Sequence, residues 1–370
     1  MRILIEALGI HYYGGGRTAT LNLLESLFAL DRVNQYLVLL NQPEPSLESA
    51  GDNVSQHIIP LKNRFTARAW LQLVLPFLSR GYDLVHFAKN LSVFGLPTRS
   101  LITVYDLAVL IHPQVYPRSD VWYWRTIQRR ALRRAERVIA ISQATADDLA
   151  RFYGLAPKRL QVIYPGVSSR FQPVADEQVA CLRQSLGLAE RYFLHVGRID
   201  RKKNIPLLVQ AFSRLRQAGF QGQLVLVGEA YHKSMDLTLA PTIAQLGLES
   251  SVVFPGRVPD EDLPALYSGA LATVFPSLYE GFGLAPVEAM ACGSPLVAHA
   301  SGALPEVVGQ AGLLVQPLEV GRLAQALARV AEGPALREEL RRRGLERALL
   351  FNGENSARQT LALYEEVVNA

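Results

Sequence analysis

The sequence predicts an α/β protein of two doubly wound domains, each a parallel sheet covered by helices. Three observations predict it. Short β-rich apolar runs recur along the chain, stretches of helical spacing lie between them, and 370 residues exceed one ordinary core. The runs of the first half are Ile3–Leu8, Tyr36–Leu40, Gln56–Leu61, Leu84–Phe87, Leu101–Asp106, Val138–Ser142 and Gln161–Tyr164. Those of the second are Tyr192–Val196, Leu224–Val227, Val252–Phe254, Ala272–Phe275, Leu296–Ala298 and Leu313–Val315. Runs without clear alternation suit strands buried on both faces of a parallel sheet. Helical spacing marks Thr18–Leu30, Ser142–Phe152 and Asp260–Gly269 among the intervening segments. Together these elements fit two sheets of six or seven strands better than one.

The join is expected near Pro165–Pro173, where Pro-Gly, two serines and a further proline follow a strand. That gives domains 1–170 and 171–352, with a last helix in 353–370. In that helix, about Asn355–Val368, Leu361, Tyr364 and Val368 form one apolar stripe.

Composition narrows the class. A hydrophobic share of 49% with 19% charged residues belongs to a soluble globular chain and excludes a disordered one. The two cysteines, Cys181 and Cys292, imply no disulfide framework and suit a reducing cytoplasm. The opening MRILIEALGIHYYGGG reads as a first strand with no signal peptide, and no segment is apolar for long enough to span a bilayer. The net charge of +5 is unevenly spread: residues 1–170 hold 20 Lys+Arg against 12 Asp+Glu, the remainder 18 against 21. A basic half points to phosphates, an anionic membrane surface or nucleic acid, or is simply a solvated face.

The segment from Pro276 to Gly293 carries the most chemistry. It follows a buried strand and holds Glu280 and Glu288 eight positions apart. Gly281 and Gly283 permit a tight turn, and Leu284–Met290 reads as a helix with Pro286 in its first turn. Such a helix start offers free N–H groups and a positive dipole end to a phosphate. Glu288 could then accept from a ribose diol and Glu280 from sugar hydroxyls. The bland alternative is a strand, a turn and a helix with two surface glutamates.

Gly197-Arg198…Lys203-Asn204 ends the first strand of the second domain, where α/β folds place ligands. Arg198 and Lys203 can aim two cations at one diphosphate and neutralise a departing nucleotide without a metal. Alone, they read equally well as a solvated basic loop. Gly14-Gly15-Gly16-Arg17 follows the first strand and lets backbone amides approach a phosphate or sugar, although it is not a G-x-G-x-x-G fingerprint. Asp106 ends a strand at the edge that should carry the site, and His112 beside Pro113 reads as a loop residue. The seven histidines lack metal-ligand spacing, and neither a G-x-S-x-G elbow nor a Walker lysine loop occurs. Lys62–Leu78, basic at its start and apolar in its body, is either an amphipathic core helix or a membrane-surface helix. The arginines from Arg129 to Arg137 line one helix without the interleaved aromatics that nucleic-acid binding would use.

With these residues in view, the sequence resembles glycosyltransferase family 4, the retaining enzymes of GT-B fold, over essentially the whole chain. The resemblance rests on the glycine-rich first turn, Val-Gly-Arg…Lys-Asn, Phe254–Asp260 and the E-x(7)-E element. It implies two Rossmann-like domains facing a central cleft, the first binding the acceptor and the second the donor, with the last helix returning to the first domain. It implies a nucleotide-sugar donor, a saccharide or lipid-linked acceptor, and neither cofactor nor metal. Position by position, Arg198 and Lys203 would hold the donor diphosphate, Glu288 the ribose and Glu280 the transferred sugar. Backbone at Gly283 and Leu284 would cradle phosphate, Gly15 and Gly16 would approach the donor, and Arg257 and Val258 would line the base pocket. Many members carry His-Asp where this chain has Tyr105-Asp106; a tyrosine cannot act as a cation near neutral pH, which turns attention to Asp106. GDP-mannose is the expected donor and the cytoplasm the expected localisation, where the basic first domain could also make peripheral contact with the inner face of a membrane. The competing readings are a nucleotide-sugar epimerase or hydrolase on the same fold and a non-catalytic sugar-nucleotide-binding protein.

Overall fold

A computed structural model describes residues 1–11, 14–48, 51–61, 63–90, 92–93, 95–229 and 237–370, with the backbone alone at Arg64. Lys62 lies outside the described residues. The chain forms two compact units, Met1–Gly166 with Phe351–Ala370, and Val167–Leu350.

The first unit holds a seven-stranded sheet of β1 (Arg2–Glu6), β2 (Gln35–Leu40), β3 (Val54–Ile58), β4 (Leu84–Phe87), β5 (Arg99–Val104), β6 (Arg137–Ala140) and β7 (Leu160–Val162), in the order β3-β2-β1-β4-β5-β6-β7. The second holds six strands, β8 (Tyr192–Val196), β9 (Gln223–Val227), β10 (Val252–Gly256), β11 (Ala272–Phe275), β12 (Leu296–His299) and β13 (Gly312–Val315), ordered β10-β9-β8-β11-β12-β13. Every pairing is parallel. In each sheet the winding reverses beside its first strand. Ile3 faces Tyr36 on one side and Leu84 on the other; Phe193 faces Leu224 and Ala272. Ligands in open α/β sheets bind beyond the carboxyl ends of the strands at such a reversal.

Alternation along the strands divides the core into two layers per sheet. Ile3 and Ile5 join Leu24 and Phe28 of the helix Gly15–Leu30, while Leu4 packs toward Leu71 and Leu132 on the opposite face. Each such fully buried side chain contributes about 1.5–3 kcal/mol. Several strands end earlier than the apolar runs suggest: β1 stops at Glu6 and β5 at Val104. Ala7, Leu8 and Ile59 stay buried in the loops beyond, so burial outlasts the hydrogen-bonded ladder. The first helix starts inside the glycine run, at Gly15, three residues before the expected Thr18.

The helix Gly353–Asn369 belongs to the first unit. Asn352 caps it by accepting from Asn355 N at 2.7 Å, and Ala357, Leu363, Tyr364 and Val367 enter the layer of Ile3 and Phe28. Tyr364 Oη lies 2.6 Å from His86 Nδ1, and Ser356 Oγ donates to Tyr164 O at 2.5 Å. A Cβ on Gly166 would stand 2.3 Å from Gly353 Cα, so backbone approaches backbone there and glycine is required.

The helix Arg64–Leu73 opens with a capping box at Asn63, and a short helix Leu75–Leu78 follows. Ala67, Leu71 and Leu75 are buried against the core, yet Phe65, Ala69, Leu73 and Phe77, spaced by four, are exposed. Both faces of this segment are therefore apolar, and one of them faces solvent. Among the described residues no helix is long and apolar enough to cross a membrane.

Candidate active site

In the second unit the winding reverses between β8 and β11, and the loops leaving them meet. Gly197 exits β8 with φ 154°, and a Cβ on neighbouring Gly228 would come within 2.0 Å of Gly197 O. Asp200 Oδ1 accepts from Lys203 N at 3.2 Å, capping the turn Arg201–Lys203, and Asn204 turns the chain at φ 53° into the helix Ile205–Gln217. Leu278 N donates to Lys202 O at 2.8 Å, tying the β11 loop to the β8 loop. This bracing delivers Lys203 Nζ to 2.6 Å from Glu280 Oε1, with side-chain exposures of only 17% and 9%. Arg198, half exposed, stands 3.7 Å from Asp200 Oδ2.

Burial would raise the Glu280 pKa, but Lys203 and Lys202 outweigh it and hold the carboxyl at about 2. The Glu280 backbone is fixed as well: its carbonyl accepts from Ala303 N at 2.9 Å, and a Cβ on Gly302 would lie 2.2 Å from that oxygen. Gly283, at φ 92°, then caps the helix Leu284–Ala291 without a side-chain hydrogen bond. The N–H groups of that first turn have no partner within the helix, and the dipole there is positive.

Glu288 sits one turn further on, buried, and accepts from Tyr267 Oη at 3.2 Å. Burial lifts its pKa to about 7, with Asp260 adding to the rise and Tyr267 and Arg170 opposing it. Asp260 and Arg170 join Arg257, Pro259 and Glu261 around a cleft of about 530 Å³. Val258 itself is buried in the core below.

The remaining sequence-predicted residues lie in the first unit. Gly15 and Gly16 form the first turn of their helix, and Thr20 Oγ1 bridges Gly16 O at 2.8 Å and Tyr105 Oη at 2.6 Å. Burial pushes the Tyr105 phenol up to about 12, partly offset by Thr20, so it remains a neutral hydroxyl. Asp106 lies beyond the end of β5, and its Oδ1 accepts from Ala108 N at 3.1 Å in a tight turn.

Three groups escaped the sequence reading. Glu6, wholly buried at the carboxyl end of β1, accepts from Leu8 N at 2.8 Å, and burial pushes its pKa up to about 8. Lys89, just past β4, donates to Gly9 O at 2.6 Å. His195 lies wholly buried in β8, with Nδ1 2.8 Å from Val274 O. Each had one signal, a polar side chain within or directly after an apolar strand, and nothing in the spacing set it apart from a chance substitution. Among the described residues no three His, Cys, Asp or Glu side chains gather as a metal site would need.

A family model described as Glycosyltransferase Family 4 matches residues 13–171, and one described as Glycosyl transferases group 1 matches 182–347. The O-antigen chain mannosyltransferase B of Escherichia coli is 30% identical over 285 residues, 76% of this chain and 74% of that one. The chain belongs to glycosyltransferase family 4. A second relative of this glycosyltransferase, the MMP alpha-(1->4)-mannosyltransferase of Mycolicibacterium hassiacum, is 34% identical over 67% of the chain, which spans 58% of that protein. Sucrose-phosphate synthase of Thermosynechococcus elongatus superposes with a TM-score of 0.80 at 25% identity, covering 99% of both chains. HepE of Anabaena, solved with UDP and glucose, superposes at 0.79 with 23% identity, covering 99% of this chain and 100% of that one. The glycosyltransferase therefore has the GT-B fold, with two Rossmann-like domains.

Proposed function

We propose that this glycosyltransferase moves a sugar from a nucleoside-diphosphate sugar to a saccharide or lipid-linked acceptor, with retention and without a metal, in glycan biosynthesis. The Lys203–Glu280 ion pair beside the start of the helix Leu284–Ala291 carries the reading. It sets a cation, a carboxylate and free amides at the winding reversal, a set that suits a diphosphate joined to a polyol. Lys203 and Arg198 are assigned to the diphosphate, Glu280 to the transferred sugar, Gly283 and Leu284 to phosphate, and Glu288 to the ribose. The roles of Gly15, Gly16 and Asp106, all in the first unit, rest on the family resemblance alone.

The chemistry is a front-face substitution. An acceptor hydroxyl forms its bond to the anomeric carbon on the side from which the diphosphate leaves, the carbon–oxygen bond to phosphate breaks, and the departing phosphate oxygen takes the hydroxyl proton. Charge grows on that phosphate, and fixed cations and amides stabilise it most in the transition state.

GDP-mannose is the donor this reading favours. The cleft beside Glu288 offers the carboxylates of Asp260 and Glu261 together with Arg257. Guanine presents two adjacent N–H donors and a carbonyl oxygen on one edge, which such groups can meet, whereas uracil presents a single N–H. The mannosyltransferases among the relatives support the same sugar. A lipid-linked acceptor would bring the protein to a membrane surface, and the exposed stripe Phe65, Ala69, Leu73 and Phe77 in the basic first half supports peripheral contact there.

A thermal-shift panel of GDP, UDP, ADP and dTDP sugars tests the donor, since a ligand at 100 times its Kd stabilises by about 2.7 kcal/mol. The guanosine compounds are expected to raise the melting temperature most. Proton NMR of the product then reads the anomeric configuration, and an inverted centre would refute retention.

A further inference from the structure

The first unit gathers a second group of cations, to which the donor assigns no role. His11 and Arg17 come from the chain leaving β1, and Lys89 from the chain leaving β4, the neighbouring strands at which the winding of the first sheet reverses. Lys89 Nζ donates to Gly9 O at 2.6 Å, and Arg17 Nη2 to Glu44 Oε2 at 2.9 Å. A guanidinium has five N–H donors and an ammonium three, so each can keep its anchor and meet a ligand as well. His11, Arg17 and Lys89 are all half-buried: the fold braces them and solvent still reaches them. Positive charge here is only partly offset. Glu44 opposes Arg17, but Lys89 is bonded to a neutral carbonyl. Glu6, which Lys89 draws down, is still pushed up to about 8 by burial and is mainly protonated near pH 7. Burial, then Lys89 and Arg17, hold the His11 pKa below its ordinary value of 6.5, so the imidazole is mainly neutral.

The helix Gly15–Leu30 adds its positive end to this group. Its first turn holds no acidic residue, and Gly14 caps it without a side-chain hydrogen bond. Among the described residues nothing lies within 4 Å of the place a Cβ on Gly15 would take, and beside Gly16 there is Lys89 Cε at 3.9 Å. The bare first turn therefore leaves its amides approachable from the side that Lys89 flanks. A point donor, a planar fork, an imidazole and backbone amides reach this place from different directions. Such a set matches a tetrahedral phosphate better than a planar carboxylate. The donor diphosphate is already assigned to Arg198, Lys203 and a helix start in the second unit. A second phosphate-type site calls for a second anion, and the remaining substrate is the acceptor.

We infer that His11, Arg17 and Lys89, with the start of the helix Gly15–Leu30, bind a phosphate ester carried by the acceptor. The site rests on the glycosyltransferase reading above and narrows its acceptor to a phosphorylated saccharide, either a soluble sugar phosphate or a sugar on a lipid diphosphate. It places the acceptor and takes part in no bond that forms or breaks.

The readout is the His11 ring signal, by NMR of the full chain with isotope-labelled histidine, assigned through its loss in His11→Gln. Mannose 1-phosphate is expected to raise the His11 titration midpoint by about one pH unit, because a bound anion favours the imidazolium, and GDP to leave it in place. By calorimetry, Lys89→Gln is expected to bind mannose 1-phosphate about tenfold more weakly, with Lys89→Arg recovering most of the loss. Both variants should hold GDP within about twofold, which also reports that they fold. Mannose on a short-chain alkyl diphosphate separates the two sources. Binding tighter than that of mannose 1-phosphate names a lipid-linked acceptor, weaker binding a soluble sugar phosphate, and either upholds the site. A His11 midpoint unmoved by mannose 1-phosphate, the alkyl diphosphate and inorganic phosphate would show that no anion binds there, and the site would be abandoned. A midpoint moved by GDP, or GDP weakened as much as mannose 1-phosphate in Lys89→Gln, would give these cations to the donor, with the same consequence. A wild type that binds no nucleoside diphosphate would overturn the donor reading, while the His11 shift, measured without donor, decides the anion site separately.

Discussion

Replacing Lys203 by alanine tests both the ion pair and its proposed role. Glu280 is held at about 2 against an ordinary value of 4.5, and both partners are more than four-fifths buried, so solvent screens the pair little. At 1.36 kcal/mol per unit, that depression corresponds to about 3 kcal/mol of folding stability. Because the folded pKa is the lower one, the stabilisation is present above pH 4.5 and disappears as the pH falls through 2. Less than half of it should survive at pH 3. Lys203→Ala strips a buried carboxylate of its ion-pair partner, so urea denaturation at pH 7 should show a loss of about 3 kcal/mol that shrinks on acidification. Turnover should fall by roughly two to three orders of magnitude, the usual effect of removing a donor aimed at developing charge. The double variant Lys203→Ala/Glu280→Gln separates the two effects. With no buried charge left unpaired it should regain most of the stability, while turnover stays lost. A double variant that regains turnover would show that Lys203 merely neutralises Glu280, and the diphosphate assignment would be refuted.

Three further predictions follow from the same geometry. Donor affinity should rise as the pH passes upward through about 7, because Glu288 must lose its proton to accept from two ribose hydroxyls; in Glu288→Gln, titration across pH 6–8 should be flat. Gly302→Ala should lower turnover with the fold retained by circular dichroism, since φ is 58° and the new Cβ would stand 2.2 Å from the Glu280 carbonyl; unchanged kinetics would show that the Glu280 loop yields without cost. Leu73→Ser with Phe77→Ser should reduce co-sedimentation with anionic vesicles several-fold and leave GDP binding intact. Equal pelleting of variant and wild type would remove the exposed stripe as a membrane contact.

The proposed donor site in the second unit was legible in the sequence because a site for a diphosphate would concentrate its parts. Cations, glycines and carboxylates must leave adjacent strands of one sheet, and β8 and β11 deliver them within two short segments, Gly197–Asn204 and Glu280–Glu288. The strands there were also well bounded: Tyr192–Val196 and Ala272–Phe275 end where their apolar runs end, at a glycine and a proline. The first unit gave no such signal. Its loops stay apolar beyond the last ladder hydrogen bond, which blurred the ends of β1 and β5, and its polar groups come singly from separate elements. Glu6 shows why spacing could not find them. In sequence it interrupts an apolar strand, which reads as a flaw in the pattern. In the fold its neighbours across the ladder are Leu39 and Phe87, its carboxyl is pushed up to about 8 by burial, and near pH 7 it is mainly a neutral acid able to donate. A chain that tolerates this cost at the carboxyl end of its central strand gains a hydrogen-bond donor in the place where a sheet of this topology meets ligands. That argument needs β1 to lie between β2 and β4, and strand order is a property that local sequence does not carry.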